Sequence, residues 1–387
     1  MKQIQLLNKI DKIGTDEFDR EKYTLSETAE NPCGILVRSS SMHEMDFGDN
    51  LLAIARAGAG VNNIPIERCS EKGIVVFNSP GANANGVKEL TIAALLISSR
   101  NIVGGINWAN AQKGQAEVAK LVEKGKSKFA GPELRGKTLG VIGLGAVGGM
   151  VANAAYSLGM DVIGCDPYLT VSAAWSLSRA IIRAENYDEI YAKSDYITIH
   201  VPSVASTKGL INKETIAKMK DGVRIINLSR DDIVDNADII EALKSGKVSS
   251  YVTDFPTEEV LGVEGIIAIP HLGASTPESE ENCAYMAAQQ MIDYLENGNI
   301  RNSVNYPEIV LPRVTKTRVV VLHKNIPNML AQISTSLSAA NINIESLLSH
   351  AKGDNAVSLY ETNDEVDSGI IEKILSIPGV RRVMTVH

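Results

Sequence analysis

The sequence has no apolar run long enough to cross a bilayer. None reaches the roughly 18 residues a span requires, and the longer runs are broken by Gly, Ser or Asn. Cysteine is scarce. Cys33, Cys69, Cys165 and Cys283 lie far apart, which excludes a disulfide framework or a clustered metal site and leaves four packed, reduced thiols. Basic excess is also missing. The chain carries 38 Lys and Arg against 46 Asp and Glu, a formal net charge of -8. The sequence pI is about 5.4. Such a surface does not favour nucleic acid or an anionic membrane as partner. The N-terminus, MKQIQLLNKIDKIG, lacks the apolar core of a signal peptide. The expectation is a cytoplasmic protein with no bound metal.

What is present is an ordinary soluble composition. Of 387 residues, 44% are hydrophobic and 22% charged, enough for two or three domains. Short branched runs alternate with helix-forming stretches. Strands are expected at 35–38, 51–56, 73–77, 138–142, 161–165, 196–201, 223–228, 251–253 and 266–269, with a long helix at 86–102 and another at 277–295. Strands alternating with helices imply parallel sheets covered on both faces. The runs fall into two groups, predicting two doubly wound α/β domains. If the second long helix returned to the first domain, the two would be joined by two crossings that form a hinge over a cleft. Residues 300–316 have no clear period and read as a linker. The last 71 residues (317–387) follow a different pattern, βαββαβ, a small α+β module. Its first helix is placed at 327–340, with Pro327 in the first turn.

The strongest generic signal is Gly143, Gly145 and Gly148, a GxGxxG between a strand and a helix. The first glycine permits a tight turn, the second lets a pyrophosphate approach, and the third lets helix and strand pack closely. Gly143, Gly145, Ala146, Val147 and Gly148 would thus bind pyrophosphate at a helix N-terminus. Asp166 ends the next strand, 18 residues beyond Gly148. A carboxylate there suits ribose hydroxyls and repels a 2′-phosphate, so NAD is the expected cofactor. Alone, the motif also reads as a Gly-rich packing turn, with Asp166 in an ordinary surface turn.

Oxidising a hydroxy acid needs a base for the hydroxyl proton, a cation for the carboxylate and a partner for the base. Arg230, Glu258 and His271 each lie past a predicted strand end, where ligands of parallel sheets bind. His271 is the candidate acid/base, Glu258 its hydrogen-bonding partner and Arg230 the carboxylate clamp. Each taken singly also reads as a cap or a surface group, and Glu259 rivals Glu258.

Together, the GLGAVG loop, the INLSR segment at 226–230, the FPTE segment at 255–258 and the PHLGAST segment at 270–276 resemble the D-isomer-specific 2-hydroxyacid dehydrogenases. The resemblance covers about 35–305 and implies the roles just given to Arg230, Glu258 and His271. It further implies cofactor contacts at His200, Pro202, Ser229, Asp254 and Gly273. It assigns substrate contacts to Arg38, Ser39, Arg56, Ala59, Gly60 and Asn83, the two arginines suiting a phosphorylated hydroxy acid. The C-terminal module resembles the ACT (ferredoxin-like) regulatory domain, implying a homo-oligomer and an amino-acid effector such as L-serine at His323, Asn325 and Asn343. It reads equally as a dimerisation module. The domains implied are 1–101 with 271–303 for substrate, 102–270 for NAD, a linker at 304–316, and 317–387 for regulation. The sequence departs from the family at Asp231, where Gly is usual, at Thr253, where an Asp is usual and Asp254 stands one place later, and at Asn328, where Gly is usual. Rival readings are a reductase of unphosphorylated 2-oxo acids and a catalytically idle NAD-sensing protein.

Overall fold

The computed structural model describes all 387 residues. The chain divides into two compact units, residues 1–83 with 277–387, and residues 84–276. It therefore passes between them twice.

The first unit opens with five parallel strands, β1 (Lys2–Leu7), β2 (Tyr23–Ser26), β3 (Gly34–Val37), β4 (Ala53–Arg56) and β5 (Val75–Phe77), in the order β2-β1-β3-β4-β5. Side chains alternate across this sheet with period two. Leu36, Ala53, Ala55, Val75 and Phe77 face one core, while Ile35, Val37, Ile54 and Val76 face another. The helix Pro277–Asn297 covers the first face. Its buried residues, Cys283, Ala284, Ala287, Ala288, Met291, Tyr294 and Leu295, recur at three- and four-residue steps. It ends at Gly298, whose φ of 72° suits a residue without Cβ.

The second unit holds β6 (Thr138–Ile142), β7 (Asp161–Cys165), β8 (Ile182–Arg183), β9 (Tyr196–Ile199), β10 (Val223–Asn227), β11 (Val248–Thr253) and β12 (Ile266–Ala268). All are parallel, in the order β12-β11-β10-β9-β6-β7-β8, the doubly wound dinucleotide-binding arrangement whose order reverses between β6 and β9. One register row runs Cys165, Ile142, Ile199, Asn227, Thr253, Ala268 across the sheet. The residues that follow this row share one carboxyl edge.

Two boundaries differ from expectation. The helix Ala84–Ser99 belongs to the second unit, because Ala94 and Leu95 are buried with Leu139, Val141 and Tyr196 of its sheet. That helix also stops at Ser99. Asn101 caps a separate helix, Ile102–Ala111, bent by 66° from the first. The strands β1, β2 and β8 were not expected, since their sequences mix polar and apolar residues. No single helix is long and apolar enough to cross a membrane.

The C-terminal module joins the first unit. It has β13 (Thr317–Lys324), β14 (Ser346–Lys352), β15 (Asn355–Thr362) and β16 (Val380–Val386) in one antiparallel sheet, β14-β15-β13-β16, an ACT-like fold. Val319 and Val321 face the module's own helices, while Val320, Leu322, Val357, Leu359 and Val386 join the core under Phe77, Met291 and Tyr294. Burial of each such side chain contributes about 1.5–3 kcal/mol. Arg318 is fully buried against Glu361 and donates to the carbonyls of Asn297 at 2.6 Å and Leu311 at 2.7 Å. Residues 300–316 are therefore no free linker. Asn305, Tyr306 and Ile309 are buried, and Ile300 bridges to Ile309. The module's first helix begins at Met329, not at Pro327. Asn328 caps it in the left-handed region at φ 70°, a conformation Asn tolerates better than most residues and the reason Gly is usual there.

Candidate active site

The carboxyl edge of the seven-stranded sheet gathers most of the expected cofactor residues. Gly143 turns at φ 89°, and a Cβ there would lie 2.6 Å from the carbonyl oxygen of His200. A Cβ on Gly148 would lie 1.9 Å from the carbonyl oxygen of Gly143. Both glycines are thus demanded by the fold. Gly145 differs, since a Cβ there would meet nothing within 4 Å. Its missing side chain leaves room for something outside the protein. It is the N-cap of the helix Ala146–Ser157, which no side chain caps, so the first-turn N–H groups around Ala146 and Val147 remain for an anion. Asp166 spans the loop, accepting from the Leu144 and Tyr168 amides at 2.9 Å each.

Further along the edge, His200 binds Thr198 Oγ1 through Nε2 at 2.9 Å, and burial pushes its pKa down to about 4. It is therefore a neutral imidazole near pH 7. Pro202 accepts from Thr207 Oγ1, and Ser229 donates to the Ile199 carbonyl at 2.6 Å. Asp254 accepts from the Gly273 amide at 3.1 Å through Oδ2, while its buried Oδ1 has no partner. Burial raises its pKa, opposed by the Gly273 N–H and by the nearby His271 and Arg230. An open glycine cradle, an uncapped helix, a carboxylate just past the end of β7 and an unpartnered Asp254 oxygen fit a dinucleotide with a donor-bearing head.

Arg230 stands at the end of β10 with its guanidinium in no ion pair. Asn227, fully buried, grips that turn. Its amide donates to the Arg230 carbonyl at 2.7 Å, and its Oδ1 accepts from the Ser229 N–H at 3.1 Å. Asp232, next to Asp231, accepts from Ser203 Oγ at 2.7 Å and pairs with Lys208 at 3.3 Å, so this carboxylate ties down the neighbouring loop. His271 is exposed and holds φ 47°, a strained conformation for a residue with a Cβ. Its amide donates to the carbonyls of Asp254 and Ile269 at 3.0 Å each, and its ring lies 4.7 Å from that of Phe255. The sequence reading missed Asn227 and Phe255. The polar Asn inside an apolar strand was the signal available for the first.

One expected contact is not formed. Glu258 is exposed and makes no hydrogen bond to His271, whose ring faces Phe255 instead. Glu259 accepts from Asn236 at 3.1 Å.

In the first unit, Arg38 follows Val37 and Arg56 is its register partner's end on β4. Arg56 Nε donates to the Arg38 carbonyl at 2.9 Å, and its guanidinium lies over Gly58 and Gly60. The amides of Ala59 and Gly60 donate to no acceptor in the protein. Asn8 Oδ1 accepts from the Ser39 amide at 3.0 Å. Asn83 is half-buried in the turn before residue 84.

Two of the three expected effector residues, His323 and Asn325, line one cleft, and Asn343 lies outside it. His323 is buried, with Nδ1 on the Lys324 carbonyl at 2.8 Å and Nε2 on Ser358 Oγ at 2.9 Å, so neither ring nitrogen is available. Asn343 donates to Glu345. A cleft of about 270 Å³ at the first loop is lined by His323, Asn325, Asn328, Ser349 and His350 among others, but not by Asn343.

Residues 92–273 match the family model described as D-isomer specific 2-hydroxyacid dehydrogenase, NAD binding domain. The chain is 37% identical over 288 residues to the D-3-phosphoglycerate dehydrogenase of Archaeoglobus fulgidus, covering 71% of this chain and 52% of that one. It is 34% identical over 322 residues to the enzyme of the same name from Methanocaldococcus jannaschii, covering 81% and 59%. The chain thus spans little more than half the length of these relatives. Among solved structures, the NAD+-bound 3-phosphoglycerate dehydrogenase of Entamoeba histolytica is 29% identical with a TM-score of 0.60, covering 79% of this chain and 98% of that one.

Proposed function

Because the chain belongs to the D-isomer-specific 2-hydroxyacid dehydrogenase family, we propose that it oxidises 3-phosphoglycerate to 3-phosphohydroxypyruvate with NAD, the first step of L-serine synthesis. The observation that carries this reading is the carboxyl edge itself. There an Arg230 outside any ion pair and a strained His271 share the edge with a glycine cradle whose Gly145 faces open space.

NAD, when bound, supplies the hydride acceptor, held by Gly143 to Gly148, Asp166, His200, Pro202, Ser229, Asp254 and Gly273. Arg230 grips the substrate carboxylate through its planar fork, and on the first unit the Ala59 and Gly60 amides, Ser39 and Asn83 are the proposed substrate contacts. His271 takes the hydroxyl proton. Arg38 and Arg56 carry the charge for the phosphate. The role of Glu258 rests on the family resemblance alone, and a Glu258→Gln variant with unchanged turnover would remove it.

The helix Ile102–Ala111 has no buried residue, and Ile106 is 55% exposed. An apolar face so uncovered supports self-association, and with it the homo-oligomer. Amino-acid control through the C-terminal module, with L-serine as effector, belongs to the same reading. The test is a panel of 2-hydroxy acids followed by NADH absorbance, with and without L-serine. Preference for 3-phosphoglycerate over D-glycerate, lost in Arg38→Ala, is expected. Indifference to the phosphate would favour a hydroxypyruvate or glyoxylate reductase, and NAD binding without turnover of any acid would favour an idle sensor.

A further inference from the structure

Arg38 is not an idle cation. Its Nη2 lies 2.5 Å from Glu280 Oε1, and both side chains are about half exposed. Glu280 sits in the first turn of the helix Pro277–Asn297, where the helix dipole favours a carboxylate. Arg56 is stapled from the other side by its bond to the Arg38 carbonyl. The thiol of Cys283, one turn along the helix, feels all three groups. Burial raises its pKa, Arg56 and Arg38 lower it, and Glu280 raises it. Arg38, Arg56 and Glu280 therefore form one charged cluster in which Glu280 pairs with Arg38.

The proposed function gives these two arginines the substrate's phosphate, and the present inference rests on that reading. A phosphate dianion requires two cations, and Glu280 already occupies one. We infer that Glu280 is an internal counterion that competes with the substrate phosphate for Arg38, and so sets the affinity for phosphorylated substrate and product. A substrate with an uncharged tail leaves the pair intact and gains nothing from Arg38. A phosphorylated one must displace Glu280 and then sit beside its charge. The effect is a weaker grip on both the phosphorylated substrate and its equally charged product, which favours release.

The test compares the wild-type protein with Glu280→Gln, Arg38→Ala and the double variant. It measures KM for 3-phosphoglycerate and for D-glycerate, and competitive inhibition by inorganic phosphate. Thermal melting checks that each variant folds. Glu280→Gln keeps size and hydrogen-bonding capacity but removes the charge. It should lower KM for 3-phosphoglycerate, and Ki for inorganic phosphate, by about two- to fivefold, the range an exposed ion pair supplies. The ratio of the KM for 3-phosphoglycerate to that for D-glycerate should fall by the same factor. In the Arg38→Ala background the substitution should change neither. A higher or unchanged KM for 3-phosphoglycerate in Glu280→Gln would overturn the inference, since Glu280 would then orient Arg38 or be a bystander. If the wild-type protein does not distinguish 3-phosphoglycerate from D-glycerate, the phosphate assignment itself fails and the inference falls with it. A wild-type preference without a Glu280 effect sinks the inference alone.

Discussion

At the carboxyl edge of the seven-stranded sheet, the motif residues are held by the fold but not consumed by it. Gly145 faces open space, Asp254 keeps a buried oxygen without a partner, and Arg230 is in no ion pair. In the C-terminal module, an equally recognisable loop lines a cleft with Asn325 and Asn328, but two of the matching side chains are committed to the fold. Both nitrogens of His323 are bonded within the protein, and Asn343 is turned onto Glu345. Matching residue types are therefore not sufficient for a site. What separates the two regions is whether polar groups are left unsatisfied where a ligand can reach them.

The largest effect that would sharpen this contrast is loss of the base. His271→Ala should lower kcat by about a thousandfold with little change in melting temperature, because the ring is exposed and its one packing contact is with Phe255. Near-normal turnover would break the assignment. The glycine loop offers a paired test. Gly148→Ala, whose Cβ would press on the Gly143 carbonyl, should cost about 3 kcal/mol in urea unfolding, while Gly145→Ala should leave stability within about 0.5 kcal/mol and weaken NAD binding. Equal destabilisation by both would show that Gly145 also serves packing. In the C-terminal module the expectation reverses. His323→Ala should cost about 2 kcal/mol by removing two buried hydrogen bonds and leaving a cavity, whereas Asn325→Ala, on the surface, should cost far less. An intact stability in His323→Ala would return that residue to the ligand.

The smallest effect concerns His200. Its folded pKa, about 4, lies below its ordinary 6.5, so the unfolded chain binds the extra proton first. The stability this group contributes is present above pH 6.5 and is lost as pH falls from there through about 4. Unfolding free energies measured across that window should decline less steeply in His200→Gln. Identical slopes would mean that other groups govern the acid side.

Most of the second unit was legible because its buried strands are short branched runs, and six of its seven elements near the cofactor edge carry such runs. The ends were overread. Val201, Leu228 and Ile269 continue the apolar pattern beyond the last ladder residue. The edge strand β8, two exposed residues, has no apolar signal to read. Residues 300–316 were misread because their order comes from side-chain bonds and not from periodicity. Asn305 alone bonds Val76, Ser70 and Ile74. The site residues were found through spacing past strand ends, which shows which residues share an edge. It does not show rotamers, so the missing Glu258 contact was out of reach. Nor could it disclose the backbone strain at His271, which follows from the turn between Ile269 and Gly273.

The way Arg318 and the inner face of the β13–β16 sheet close over Tyr294 has a practical consequence for anyone wishing to trim the protein. Cutting at residue 316 would not yield an intact first unit. It would unroof Phe77, Met291 and Tyr294, and strand the carbonyls of Asn297 and Leu311. The C-terminal module is not a detachable accessory, because it is also a wall of the half that carries Arg38 and Arg56.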